Sequence, residues 1–141
     1  MNQQIESGNE IDQLTEVCKE LLPNGEVQEI NPFLYDTETF GAPEISNVLG
    51  WAGYSATETN IEVTTLRNFL SPMTAFLPEH GIAEKAIAKR FLQFQNALES
   101  MMDSIRVIKI RDKKSESIIL GETSKGHCAG LRIHRDFSVG I

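Results

Sequence analysis

Residues 81–111 read GIAEKAIAKRFLQFQNALESMMDSIRVIKIR, and the change of period inside this stretch decides the fold. Ile87, Phe91, Phe94, Leu98, Met101 and Ile105 recur at steps of four and three, which lays one continuous apolar seam along a helix. The spacing predicts a helix of about 24 residues, roughly 36 Å long at 1.5 Å per residue. Lys85, Lys89, Arg90, Gln93 and Gln95 take its other faces, as on a partly solvated helix. Past Ile105 the period falls to two. IRVIKIR, the polar DKKSE and then SIILGE form the pattern of a β-hairpin over 105–111 and 116–121.

Towards the C-terminus, GLRIHRDFSV alternates as a last strand. Leu131, Ile133, Phe137 and Val139 share one parity, and Arg132, His134, Asp136 and Ser138 the other. Arg135 falls on the apolar side, which indicates a bulge or an edge position.

Towards the N-terminus, Ile11, Leu14, Cys18 and Leu21 predict a helix over 9–22 with Asn9 as its cap. Pro23 and Asn24-Gly25 stop it, EVQEI reads as a short strand, and Asn31-Pro32 is expected to break that pattern. From Asn31 to Thr57 the chain is loop-rich, with one short helix that carries Ile45, Val48 and Leu49 and ends at Gly50 or Gly53. Thr59 and Glu62 have capping-box spacing ahead of Val63, Leu66, Phe69 and Leu70, so a helix closed by Pro72 is expected there, although the β-branched IEVTT also suits a strand.

Strands that cluster late and helices that cluster early predict an α+β fold. The expectation is an antiparallel sheet of three or four mainly C-terminal strands packed against the long central helix, with smaller N-terminal helices completing the core. With 141 residues, 40% of them hydrophobic and 23% charged, one domain is expected. Residues 1–8 read as a flexible N-terminus and 9–141 as that domain. A chain of this length buries roughly two thirds of its unfolded surface and needs no disulfide or structural metal to fold. Only Cys18 and Cys128 are present, the start MNQQIESGNEID is polar and acidic, and no apolar run approaches the ~18 residues of a membrane span. These features point to a cytoplasmic protein with no membrane segment.

The net charge of −7 conceals an asymmetry: residues 1–66 hold twelve carboxylates against the single base Lys19, whereas residues 67–141 hold twelve bases against eight carboxylates. Halves of opposite sign attract within one fold, or prepare an acidic face and a basic face for partners.

The motif GETSKGHCAG, residues 121–130, imitates a phosphate loop. Gly121 and Gly126 are correctly spaced, but His127 and Cys128 follow where lysine and a hydroxyl residue are required, and a strand follows where a helix N-terminus is required. The segment reads as a turn. Cys128 with His127 or His134 is a weak candidate for thiol catalysis, because neighbouring side chains of an extended chain diverge. The spacing of these groups matches no zinc pattern, so neither a metal nor a cofactor is expected.

The leading functional reading is a non-enzymatic regulatory or adaptor protein that binds another protein with a basic surface. Phe33, Tyr35, Phe40, Trp51 and Tyr54 are half of all the aromatics and are interspersed with Asp36 and Glu38 in a stretch without Lys or Arg, the makings of an anchor surface. Ile87, Phe91, Phe94, Leu98 and Met101 offer a homodimer seam, or equally a packing face for the sheet. The alternative is a nucleic-acid-binding regulator that uses Arg106, Lys109, Arg111, Lys113, Lys114, Arg132 and Arg135, opposed by the acidic net charge and by the lack of aromatics in the hairpin. The third reading is a small thiol-dependent enzyme or redox protein.

Overall fold

A computed structural model describes residues 2–22, 30–55, 57, 59–75, 81–111 and 115–134. In chain order the elements are α1 (Asn2–Leu21), β1 (Ile30–Tyr35), α2 (Thr37–Phe40), α3 (Ile45–Ala52), β2 (Ile61–Thr64), α4 (Leu66–Thr74), α5 (Ile82–Met101), β3 (Met102–Arg111), β4 (Ser115–Thr123) and β5 (Cys128–Ile133). The strands form one antiparallel sheet in the order β1-β5-β4-β3-β2. The sheet thus has five strands, not three or four, and the two additional ones are its edges, both from the N-terminal half.

Each edge was hidden by a local signal. β1 runs straight through Asn31-Pro32, the dipeptide expected to break it, because an edge strand has one side without a ladder and tolerates a residue lacking an N–H. The expected strand EVQEI lies outside the described residues except for Ile30. β2 is the β-branched IEVT, which pairs Ile61 with Ile110 and Val63 with Ile108, so the strand option holds there and the helix starts later. The cap of α4 is Thr65, whose side chain accepts from the Asn68 N–H at 3.1 Å, and not Thr59. Pro72 stands inside α4 instead of closing it. The Ser71 hydroxyl donates to the Asn68 carbonyl at 3.0 Å, taking the acceptor that an N–H at position 72 would have used.

The first helix begins at Asn2, so Asn9 lies within it and does not cap it. The long helix is shorter than its seam: α5 ends at Met101 and β3 follows without a loop. Ser104 takes a left-handed φ of 54° where the β3–β4 register shifts between Asp103 and Arg106. Ile105 is therefore a strand residue, yet it still packs on the same core as the seam. Further on, the β4–β5 connection is a tight turn in which Gly126 (φ 81°) donates to the Thr123 carbonyl at 2.9 Å, so the glycine motif reverses the chain between two strands.

The sheet carries a core on each face. Against one lie α1, α4 and α5, burying Leu14, Cys18, Leu70, Phe91, Phe94 and Leu98 on Val107, Ile119 and Leu131. Against the other lies α3, burying Val48 and Leu49 on Phe33, Tyr35, Ile108, Ile110, Ile118 and Leu120. Strand alternation explains the division: Val107, Ile119 and Leu131 face one way, and Ile108, Ile118 and Leu120 the other. Among the described residues no helix is long and apolar enough to cross a membrane.

Candidate protein-binding site

The aromatic stretch is sorted by the smaller core. Phe33 and Tyr35 stand on β1 facing α3 and are buried, and Trp51 and Tyr54 are half-buried against them. The Trp51 ring lies 4.6 Å from Phe33 and 5.8 Å from Tyr35, centroid to centroid. Gly130 leaves room for the Phe33 ring and the β4 backbone, since a Cβ there would stand 1.8 Å from the Ile119 carbonyl oxygen and 3.0 Å from the Phe33 ring.

Beneath Trp51 lies a buried ion pair. Glu116 shares the strand parity of Ile118 and Leu120, and its side chain is 4% exposed. It receives Arg132 through Nε at 2.5 Å and Nη2 at 3.0 Å, and accepts from the Tyr54 hydroxyl. The Arg132 guanidinium sits 5.3 Å from the Trp51 ring centre and also donates to the Ala52 carbonyl at 3.3 Å. Burial works against the Glu116 charge, but the Arg132 and Tyr54 hydrogen bonds and the Arg132 and His134 charges outweigh it, and the carboxyl is held below its ordinary value. The clasp fixes α3 and its C-terminal turn onto the sheet.

What remains exposed of the aromatic stretch is the short turn α2 and its flanks. Asp36 caps it, accepting from the N–H groups of Glu38 at 3.0 Å and Thr39 at 3.4 Å and from the Thr39 hydroxyl. The Thr39 hydroxyl and these two N–H groups hold its carboxyl below the usual range. Gly41 (φ 87°) reverses the chain after it. From below, the Tyr35 hydroxyl bonds the carbonyls of Phe40 at 3.3 Å and Ala42 at 3.4 Å, and Asn47 donates to Ala42 at 3.0 Å. The result is a braced knuckle that presents Phe40, 40% exposed, among the exposed carboxylates Asp36, Glu38 and Glu44.

Among the described basic residues, Arg106, Arg111 and Arg132 are engaged by the fold. Arg106 donates to the Pro43 carbonyl at 2.5 Å, Arg111 pairs with Glu62 at 2.5 Å, and Arg132 is held by Glu116. Lys109 lies opposite Glu62 across β2 and β3. Lys113, Lys114 and Arg135 lie outside the described residues. The thiol and imidazole candidates also part company. His127 Nδ1 meets Glu10 of α1 at 2.5 Å, whereas the Cys128 side chain packs in the smaller core, where burial pushes its thiol up, Arg106 opposing and Glu122 adding to the rise. His134 exchanges a hydrogen bond with Asn31 at 2.7 Å. Among the described residues no three His, Cys, Asp or Glu side chains converge to hold a metal ion. The seam residues Phe91, Phe94 and Leu98 are buried in the larger core, with Ile87 and Met101 packed against it.

Two residues escaped the sequence reading, Glu116 and Glu10. Each left a signal: Glu116 stands on the apolar parity of β4, and Glu10 stands four residues before Leu14 and eight before Cys18 on the apolar side of α1.

The fold is that of a small five-stranded α+β protein. A family model matches residues 8–134, and the chain belongs to that family, described as nuclease A inhibitor-like protein, NuiA. No curated protein matches the chain.

Proposed function

We propose that this chain binds a nuclease and inhibits it as a non-enzymatic partner, with the α2 knuckle as part of the contact surface. The observation that carries the reading is the match to the nuclease-inhibitor family over residues 8–134. The knuckle supports it chemically. An enzyme that grips phosphate presents cations, and Phe40, flanked along the chain by the exposed carboxylates Asp36, Glu38 and Glu44, pairs an apolar anchor with charges that steer and select such a surface. The bracing by Tyr35 and Asn47 means that little entropy remains to be lost there on binding. A cytoplasmic, reducing setting suits the two free thiols, Cys18 and Cys128.

The test is DNA hydrolysis by a nuclease purified from the same host, titrated with this protein. Activity is expected to fall to zero as the two become equimolar. The double variant Glu38→Lys, Phe40→Ala is expected to weaken inhibition by about 10- to 100-fold with an unchanged melting temperature. Inhibition by the double variant as strong as by the wild type removes the knuckle, and undiminished hydrolysis with the wild type in excess removes the inhibitor reading.

A further inference from the structure

The β3–β4 ladder carries one extra residue on β3. Met102 and Asp103 lie opposite Thr123 and Glu122, but the next partnership is Arg106 with Leu120, so three steps along β3 match two along β4. Ser104 sits in this bulge with a φ of 54°, a left-handed conformation that a residue bearing a Cβ adopts only at a cost. The facing strand makes room for it: a Cβ on Gly121 would stand 2.9 Å from the Met102 Cβ and 3.1 Å from Ile105 Cγ1. The bulge decides where Arg106 points. In an unbroken strand Arg106 would share the face of Met102, which packs in the larger core, and Ile105 would turn away from it. The extra residue exchanges the two, so that Ile105 joins Met102 on the larger core and Arg106 takes the parity of Ile108 and Ile110 on the smaller one. There the half-buried Arg106 donates through Nη2 to the Pro43 carbonyl at 2.5 Å. Pro43 belongs to the strap, residues 41–44, that joins the knuckle to α3. The Tyr35 hydroxyl on β1 and Asn47 on α3 hold the Ala42 carbonyl of the same strap at 3.4 and 3.0 Å.

We propose that the Ser104 bulge and Arg106 are a positioning device for the knuckle: the bulge turns the guanidinium onto the smaller-core face, and its bond to Pro43 fixes the strap that sets the direction of Phe40. Three features carry this. The helix α2 buries no residue of its own, so hydrogen bonds and not packing hold it in place. Of the ties from the sheet, Arg106 is the charged donor, whereas the single proton of the Tyr35 hydroxyl is divided between the carbonyls of Phe40 at 3.3 Å and Ala42 at 3.4 Å. The ties come from β1 and β3, which β5 and β4 separate, so the strap is fixed from two strands that do not touch. A contact loop held in this way meets its partner already in its bound arrangement. The service to a partner rests on the inhibitor reading, while the hold on the strap does not.

The test measures backbone amide order parameters in the free, isotope-labelled full chain and then the rates of binding to a nuclease purified from the same host. In Arg106→Met and in Ser104→Val the order parameters of Thr39, Phe40 and Gly41 are expected to fall from about 0.85 to about 0.6, with those of Ile118, Ile119 and Leu120 unchanged. Arg106→Lys, which restores a donor, and Ser104→Gly, which takes the left-handed φ freely, are expected to keep the wild-type values. Ser104 is exposed, so its two variants keep the test decisive if Arg106→Met unfolds. Arg106→Met is expected to slow association with the nuclease about tenfold, because a smaller fraction of the protein holds the binding arrangement, and to leave dissociation unchanged. Unchanged order at the knuckle in both Arg106→Met and Ser104→Val overturns the device, as does a loss spread evenly over knuckle and sheet, which marks a merely structural role. Faster dissociation with unchanged association also overturns it, by placing Arg106 in the contact itself. A nuclease that the wild type does not bind removes the inhibitor reading, and the order parameters then decide alone whether the bulge and Arg106 hold the knuckle.

Discussion

Glu116 carries a full charge at a strand position whose neighbours of the same parity are Ile118 and Leu120, and it is tolerated there because Arg132 and Tyr54 supply every bond it needs. Removing one member of such a set leaves the others buried and uncompensated, so Glu116→Gln is expected to cost about 3–5 kcal/mol in chemical denaturation. The same residue gives the protein an acid-sensitive share of its stability. Its folded pKa lies below the ordinary value of 4.5, so as pH falls the unfolded chain takes up the proton first. The Glu116 contribution is therefore complete above about pH 4.5 and is lost as pH drops through the folded value. Denaturation midpoints between pH 7 and pH 3 are expected to fall more steeply for the wild type than for Glu116→Gln. Parallel curves for the two proteins would show that the clasp contributes nothing to acid sensitivity. The sequence concealed this pair because Glu116 and Arg132 lie on separate strands, and only the β4–β5 register brings those strands together.

At the scale of elements, what was legible is what periodicity alone decides. The seam of α5, the β3–β4 hairpin and the alternation of Leu131 and Ile133 were all readable, because their side chains answer to a period that local geometry sets. What was not legible depends on position within the sheet. Pro32 signals a break in any strand except an edge strand, and edge status belongs to the assembled sheet. The 59–66 segment suited both a helix capped at Thr59 and a β-branched strand, and pairing of IEVT with Ile108 and Ile110 decided for the strand, with the helix capped later, at Thr65. The aromatic stretch shows the same limit. Its composition marked an anchor surface, but α3 folded onto β1 and turned Phe33 and Tyr35 inward, leaving Phe40 as the exposed ring. Thr65→Ala removes the acceptor for the Asn68 N–H and is expected to cost about 1 kcal/mol, whereas Thr59→Ala is expected to leave the melting temperature unchanged. A larger loss at Thr59 than at Thr65 would reverse the assignment.

At the scale of the whole molecule, the N-terminal half receives arginines of the C-terminal half inside one fold. Glu62 of the acidic half holds Arg111, the carbonyls of Glu20 and Pro43 receive Arg90 and Arg106, and the Ala52 carbonyl receives Arg132. The apolar seam is treated in the same way, since α1 and α4 flank α5 and the sheet closes over Phe91, Phe94 and Leu98. A seam that dimerises and a seam that forms the monomer's core make opposite predictions about concentration. Association raises the melting temperature as protein is added, because mass action favours the bound form, whereas an internal core leaves it fixed. The melting temperature is accordingly expected to stay constant from micromolar to millimolar protein, with the sedimenting mass that of one chain of 15.7 kDa. Phe94→Ala opens a cavity in that core and is expected to cost about 3–5 kcal/mol without changing the mass. A melting temperature that climbs with concentration in the wild type, and no longer does so in Phe94→Ala, would place the seam between two copies.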